Sequence, residues 1–433
     1  MTSPTPARTI RATYFALAAF AGLQYGLFAP VRVLYLESRL LTGVTVAAVL
    51  GLYSIVSGFA EIPTGSLADS WSRRRTLLVG ALGNFMAIAL LAFTGLVPVV
   101  AAAMCCKALA GALASGSAES WFVDEASACG GTHIVRDVAR AATLENAGIA
   151  VGAVLAALAP VLFSSFDETG DAPVILLTPV LLVLMATIAV EFGVVHRCVH
   201  DGRPTAPRGD VWRTTWRTLG AGLRTARAEP VVRRILLNFF VSTMAVASFE
   251  ILTPLRLEDA SSSAERSPSE AVTVFGITIA VAFVCGALTA GLAPRIDSRF
   301  STPGRGAGAV TLATAVVLCV ALLPGSVPVV VGYLGLWLVG APVAPLLRGE
   351  LHPRVSADQR ATLLSTGAFA AMVGAGVGAI LSGPLAEAVG YRWAFVFPTA
   401  MMFVGAAALL VGELPPPAGS DTDVVVAGAS ETG

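Results

Sequence analysis

The chain has 433 residues and sets 28 basic against 28 acidic side chains, so its formal net charge is zero. Only 13% of residues are charged and 55% are hydrophobic, with a mean hydropathy of +0.77. These values exclude a soluble globular enzyme, a disordered chain and a nucleic-acid binder working through a basic surface, and the apolar side chains must face lipid.

Six cysteines (105, 106, 129, 198, 285 and 319) are scattered without a C-x-x-C spacing, so neither a disulfide framework nor a metal site is expected. Lys107 is the only lysine among the basic residues; the arginine bias is read as whole-genome composition.

Arg8 and Arg11 precede the first apolar run, which is too long for a signal-peptide core and is expected to be retained. A membrane-crossing helix needs about 20 mostly apolar residues. Twelve such runs fall near 13–35, 45–67, 77–96, 98–121, 141–163, 173–195, 235–257, 271–293, 306–325, 327–347, 361–383 and 392–412. Strand-like alternation is absent, which argues against a membrane β-barrel.

Placing the N-terminus in the cytoplasm and alternating sides puts 22 of the 28 basic residues inside. They include Arg73–Arg75, Arg136, Arg140 and nine arginines of the long connection 196–234. The outer loops carry Asp167, Glu168 and Asp171, then Asp259, Glu265 and Glu270. The positive-inside rule therefore places both termini in the cytoplasm.

The connection 196–234 contains a possible helix from Asp210 to Glu229, with Asp210 as its cap. Trp212, Trp216, Leu219 and Leu223 would share one face, and arginines fill the others. Such a helix lies on the inner membrane surface, or serves as a solvated linker. The tail after Pro415 is expected to be disordered. The expected organisation is a six-helix bundle over 1–195, a cytoplasmic linker over 196–234, a second bundle over 235–412 and a tail over 413–433.

The halves resemble each other in order. Pro30-Val-Arg32 returns as Pro254-Leu-Arg256, and Leu67-Ala68 as Leu292-Ala293. Val97-Pro-Val-Val100 returns as Val327-Pro-Val-Val330, and Arg140-Ala-Ala-Thr-Leu144 as Arg360-Ala-Thr-Leu363. Each shift crosses six helices, an even number, so both copies point the same way. This describes two bundles related by a pseudo-twofold axis along the membrane normal, an arrangement suited to alternating access.

The strongest local signal joins spans two and three: Gly65-Ser-Leu67-Ala-Asp69-Ser-Trp-Ser-Arg73-Arg74-Arg75. It resembles the loop signature of the major facilitator superfamily, roughly G-x-L-x-D-R-x-G-R-R. Ser70 replaces the signature's first arginine and Ser72 its second glycine. Helix number, middle loop and repeat extend the resemblance along the whole chain. Glu61-Ile-Pro63-Thr64-Gly65 and Ser115-Gly116-Ser-Ala-Glu119-Ser-Trp121-Phe-Val-Asp124 are similar to a bacterial branch of multidrug or metabolite exporters. The antiporter signature of span five is matched loosely: Gly148, Gly152, Ala153, Ala156 and Ala157 keep small residues, but its proline is absent. The resemblance implies the twelve-helix major facilitator fold in the bacterial plasma membrane. It also implies a cytoplasmic gate around Gly65, Asp69, Arg73, Arg74, Asp124 and Arg140. By position, Glu119 and Asp124 are read as belonging to this inner gate with Arg136 or Arg140. The plainer reading is that these arginines only obey the positive-inside rule.

An ionisable group within a span costs about 2.5–3.5 kcal/mol on insertion scales and is a functional candidate by default. Three carboxylates qualify as proton carriers: Glu250 first, then Glu61 and Glu119. Burial disfavours a charged carboxylate and a nearby cation favours it, so a proton site needs both effects to change with conformation. In the family, spans one, four, seven and ten line the pathway. That places Gln24, Tyr25, Arg32, Lys107, Asn238 and Trp337 on or near it, with Arg32 able to pair with Glu250. Trp337 is equally suited to filling a helix contact, and Lys107 to a fixed ion pair.

No Walker A sequence and no catalytic cluster occurs, so neither an enzyme nor a cofactor is expected. The favoured reading is proton-coupled efflux of a small organic compound or drug by a monomer surrounded by lipid. The alternatives are a proton-coupled importer of a small metabolite, a non-transporting receptor or sensor, and a lipid-moving protein.

Overall fold

The computed structural model describes residues 7–39, 42–70, 72–114, 117–129, 133–163, 172–200, 211–262, 268–351 and 357–411. Among them all regular structure is helical. The first half holds α1 (Ala7–Phe28), α2 (Arg32–Ser38), α3 (Gly43–Ser70), α4 (Arg73–Phe93), α5 (Val97–Ala114), α6 (Ser117–Ala128), α7 (Ile134–Phe163) and α8 (Ala172–Cys198). After α9 (Val211–Ala228), the second half holds α10 (Pro230–Ser262), α11 (Pro268–Ala290), α12 (Ala293–Asp297), α13 (Pro303–Leu318), α14 (Val327–Gly340), α15 (Val343–Leu351), α16 (Ala357–Ala394) and α17 (Val396–Leu410).

Ten helices, counting joined pieces, are long and apolar enough to cross a membrane. The pair α1–α2, bent by 43°, adds an eleventh. The bend falls at Pro30, which has no N–H to donate to the helix ladder. The shorter α17 takes the twelfth place, and α16 is kinked before its end at Gly390, whose φ of 80° suits a residue without Cβ. Span ten is also divided, at Pro342 between α14 and α15. These divisions lie inside runs that the hydropathy pattern shows as continuous.

Packing obeys the twofold. The pair α1–α7 matches α10–α16, α4–α8 matches α13–α17, and α3–α5 matches α11–α14. Two long seams join the halves, α3 against α16 and α7 against α11. The caps repeat as well: the Ser72 hydroxyl accepts from Arg75 N at the start of α4, and the Thr302 hydroxyl from Arg305 N at the start of α13.

We call the arginine-rich end, where α1 and α10 begin, the inner end. Toward the opposite, outer end one apolar core draws on both halves, with Leu27, Val33, Met104, Leu252, Phe275 and Tyr333 among its members. At the inner end each half has its own core. One gathers Ile10, Leu77, Trp121 and Val195. The other gathers Val231, Leu347, Leu363 and Leu409. The halves are therefore closed together outside and separate inside.

The linker helix α9 packs across the inner ends of α3, α10 and α16, with Gly222 against Thr366. Trp216 and Leu223 point away from the bundle and are exposed. The helix is thus docked on one face and apolar on another, rather than free in solvent. The side chains of Trp212 and Leu219, the expected cap Asp210, the acidic loop 164–171 and the tail lie outside the described residues.

Small residues of span five set the closest approach in the first half. A Cβ on Gly152 would lie 2.4 Å from the Leu23 carbonyl oxygen, and one on Gly26 2.1 Å from that of Ile149. The backbones of α1 and α7 touch there, as in small-residue packing of membrane helices. Gly152→Val is expected to destabilise the protein by about 1–3 kcal/mol, seen as a lower unfolding midpoint in detergent. An unchanged midpoint would contradict this contact.

Candidate functional site

The Pro30 bend brings Arg32, the first residue of α2, against α10. There its guanidinium forms an ion pair with Glu250 across the two halves. The second carboxylate oxygen accepts a hydrogen bond from the Tyr25 hydroxyl at 3.0 Å. The side chains of Arg32 and Glu250 are 13% and 14% exposed, so the pair sits out of bulk water. Arg32 Nε is buried without an acceptor. Charges so placed hold each other strongly, because losing either partner strands the other.

A second polar chain runs through the first half. Lys107 Nζ on α5 donates to Asn84 Oδ1 on α4 at 3.0 Å. Asn84 Nδ2 donates to Gln24 Oε1 on α1 at 3.1 Å, and Gln24 Nε2 donates to Glu191 Oε2 on α8 at 2.6 Å. Two aligned amides thus connect a cation to an anion, and the ammonium also lies 4.9 Å from the Phe28 ring centroid. Sequence reasoning missed Glu191 and Asn84. Glu191 meets the criterion that selected Glu61, an acid within an apolar span.

A cavity of 340 Å³ lies toward the inner end, walled mainly by the second half. Asn238, Ser242 and Thr243 of α10, Phe283 of α11 and Trp337 of α14 line it, and Asn146 of α7 reaches in from the first half. Among the described residues α5 and α6 make no extended packing with α14 and α15. An aromatic line joins cavity and ion pair: the rings of Trp337 and Phe283 are 4.5 Å apart, and those of Phe283 and Tyr25 5.9 Å.

At the inner end several ionic contacts hold the first half together. Arg73 pairs with Asp124, while Arg140 stands 3.7 Å from Asp137, which also binds Arg11 at 2.7 Å. Of the residues assigned to the inner gate, Asp124 thus meets Arg73, and Arg140 meets Asp137. The start of α4 lies nearer to α6, and Asp137 on α7's first turn takes Arg140. Arg74 donates to the His196 carbonyl oxygen at 2.6 Å, tying α4 to α8. Gly65 and Asp69 stand in the last turns of α3, but their side chains lie outside the described residues. Glu61 lies in α3 with Tyr53 as an electrostatic neighbour, and Glu119 is exposed in the first turn of α6.

The sequence profile of the Major Facilitator Superfamily matches residues 14–354. The chain belongs to the Major Facilitator Superfamily. The nucleoside transporter NupG superposes with a TM-score of 0.72 at 14% identity, over 93% of this chain and 98% of that one. The POT-family transporter PepTSo gives 0.70 at 15%, over 94% and 97%. A POT-family transporter in complex with 5-aminolevulinic acid gives 0.67 at 13%, over 93% and 95%. At these identities the likeness is one of fold. No curated protein matches the chain.

As a Major Facilitator Superfamily transporter, the chain keeps its twofold in polar contacts as well. Asp124 near the end of span four holds the start of α4 through Arg73. Glu350 near the end of span ten holds the start of α13 by accepting from Gly304 N at 2.7 Å. Arg32 departs from this symmetry. Its counterpart Arg256 binds the carbonyl oxygens of Ala321 and Leu323, at the end of span nine in its own half. Arg32→Ala is expected to cost about 3–5 kcal/mol by stranding Glu250, and Arg32→Met with Glu250→Met to recover most of it. Unfolding midpoints in detergent compare the two. Equal losses in the single and double variants would contradict a buried interdependent pair.

Proposed function

We propose that this transporter couples export of a small organic compound to proton uptake, with Glu250 as the proton carrier. The observation that carries this reading is the Arg32–Glu250 pair across the halves at their closed end, linked to the cavity through Tyr25, Phe283 and Trp337. Residues 1–195 would rock against 235–412, with 196–234 as the connection. Opening the outer end requires Arg32 and Glu250 to part. A proton on Glu250 neutralises the charge that holds Arg32 and lowers the cost of parting. In the outward-open form Glu250 takes a proton from the outer side and carries it inward; its release to the inner side lets the pair with Arg32 re-form and hold the outer end closed.

Glu250 ranks above the other carboxylates on position. It joins the halves, whereas Glu119 is exposed and Glu61 sits on α3, away from the closed joint. Gln24 and Lys107 form the polar wall of the first half, and Asn238 and Trp337 the wall of the second. Gly65, Asp69, Arg73, Arg74, Asp124 and Arg140 remain assigned to the inner gate. The arginine-rich end is the cytoplasmic one, in a bacterial plasma membrane, and the working unit is the monomer in contact with lipid. The exporter-like residues of spans two and four favour outward transport. Uptake with protons is the second reading. It is favoured by the chain from Lys107 to Glu191, which suits polar cargo.

The test is a vesicle screen with an imposed pH gradient, recording compound and proton movement together. Opposed fluxes support export and parallel fluxes uptake. Glu250→Gln is expected to lose gradient-driven transport at least about tenfold while retaining exchange of labelled compound, since exchange needs no net proton movement. Unchanged coupled transport in that variant would remove Glu250 from this role.

A further inference from the structure

We propose that α9 carries a binding surface for the headgroups of anionic phospholipids, made by Arg217, Arg224 and Arg227 beside the exposed Trp216 and Leu223. The surface lies apart from the cavity and the ion pair, and it stands for either direction of transport.

The sequence of α9 contains four arginines and no acid. A helix turns once in about 3.6 residues, so positions seven apart share one line along it. Gly222 meets Thr366 of α16, and Ala226, one turn on, is buried in the inner core of the second half. These two make the docked line. Trp216 and Leu223 make a second line about a quarter turn away. Both are more than half exposed, at 60% and 52%. Arg217 and Arg224 make a third line about a quarter turn further round, and Arg227 falls between it and the apolar one. All three arginines are exposed. Among the described residues no carboxylate pairs with any of them.

The order of these lines decides what covers them. The docked line holds α9 against the inner ends of α3, α10 and α16, beside the spans themselves. Tryptophan at the end of a span falls in the interfacial zone where that side chain is enriched. With the docked line toward the bundle and the apolar line toward the acyl chains, the arginine line faces away from the bundle at the level of the headgroups. A helix divided in this way lies in the plane of the interface, and its arginines draw anionic lipid to it. A guanidinium also offers a phosphate two parallel N–H donors. An apolar partner would cover Trp216 and Leu223 and leave three arginines unmatched, whereas an anionic phospholipid matches both lines with its chains and its phosphate. Because α3 belongs to the first half and α10 and α16 to the second, this lipid surface sits on an element that touches both.

The test uses the full chain in mixed vesicles of phosphatidylcholine and phosphatidylglycerol. Bromine, which quenches tryptophan, is placed on the acyl chains of either the phosphatidylglycerol or an equal amount of the phosphatidylcholine. Each protein is compared with its own Trp216→Phe counterpart, and the difference isolates the Trp216 emission. Its quenching is expected to be at least about twofold greater with brominated phosphatidylglycerol. The excess is expected to vanish when Arg217→Gln, Arg224→Gln and Arg227→Gln are combined, while quenching by brominated phosphatidylcholine persists because α9 stays docked. It is also expected to vanish in the unaltered chain at about 1 M salt, where screening acts within about 3 Å. If the triple variant displaces α9, the salt arm decides alone. Equal quenching by the two lipids in the wild type, or an excess that survives high salt or the three substitutions, would overturn the proposal. So would an absence of quenching by either lipid, since the Trp216 face would then meet water or another protein.

Discussion

The ion pair of Arg32 and Glu250 sets the terms for the rest of the molecule. Each charge belongs to a different half, and each would be costly alone in a membrane-spanning segment. Together they close the outer end, where one apolar core takes side chains from both halves. No comparable bond between the halves is seen at the inner end among the described residues, and there each half keeps its own core. Arginine keeps its proton, so any change of charge within the pair falls to the carboxylate. The Tyr25 hydroxyl on the second oxygen orients that carboxylate and leaves it few other arrangements.

The twofold shows which features serve architecture and which do not. Arg39 on the first half donates to the Ala92 carbonyl oxygen, holding the end of α4. Arg256 does the same for the end of span nine on the second half. These are architectural arginines, and the counterpart of Arg256 by local sequence, Arg32, has been released from that duty because Arg39 performs it. Likewise Gln24 reaches Glu191 in span six, while Asn238 reaches only the backbone of Gly405 in span twelve. In the first half the partner is a partly buried carboxylate, in the second a backbone carbonyl. The chain from Lys107 to Glu191 is thus confined to the first half, while the cavity is walled mainly by the second.

Much of this was legible in the sequence, for physical reasons. A span must be apolar, loops must obey the positive-inside rule, and a charge that breaks the first rule stands out. Arg32, Lys107 and Glu250 were found in that way, and the first and last meet as expected. Glu191 was overlooked because its apolar run ends four residues later in hydropathy, so it reads as a helix-end charge. The helix in fact continues to Cys198. Asn84 is uncharged and does not disturb an average over 20 residues. Which arginine Asp124 meets is not legible from sequence distance, because α6 turns it toward Arg73 at the start of α4. Bends at Pro30 and Pro342 likewise vanish in an apolar average, although the first of them aims Arg32.

The separation of charge from cargo has a mechanical consequence. If the cavity held its own charged group, a ligand could bind it without disturbing the outer pair. Here no ionisable side chain among the described residues lines the cavity, and its route to the pair runs through packed rings. Tyr25 is the side chain that touches both regions, with its hydroxyl on Glu250 and its ring edge toward Phe283. Phe283 in turn packs on Trp337 in the cavity wall. A ring that moves to admit a ligand must displace its neighbours, since packed interiors leave little free volume. A displacement reaching Tyr25 withdraws its hydrogen bond from the Glu250 carboxylate. On the proposed function, a ligand in the cavity and a proton on Glu250 would act on the same ion pair by two routes, one steric and one electrostatic, and neither requires the ligand to touch the charge.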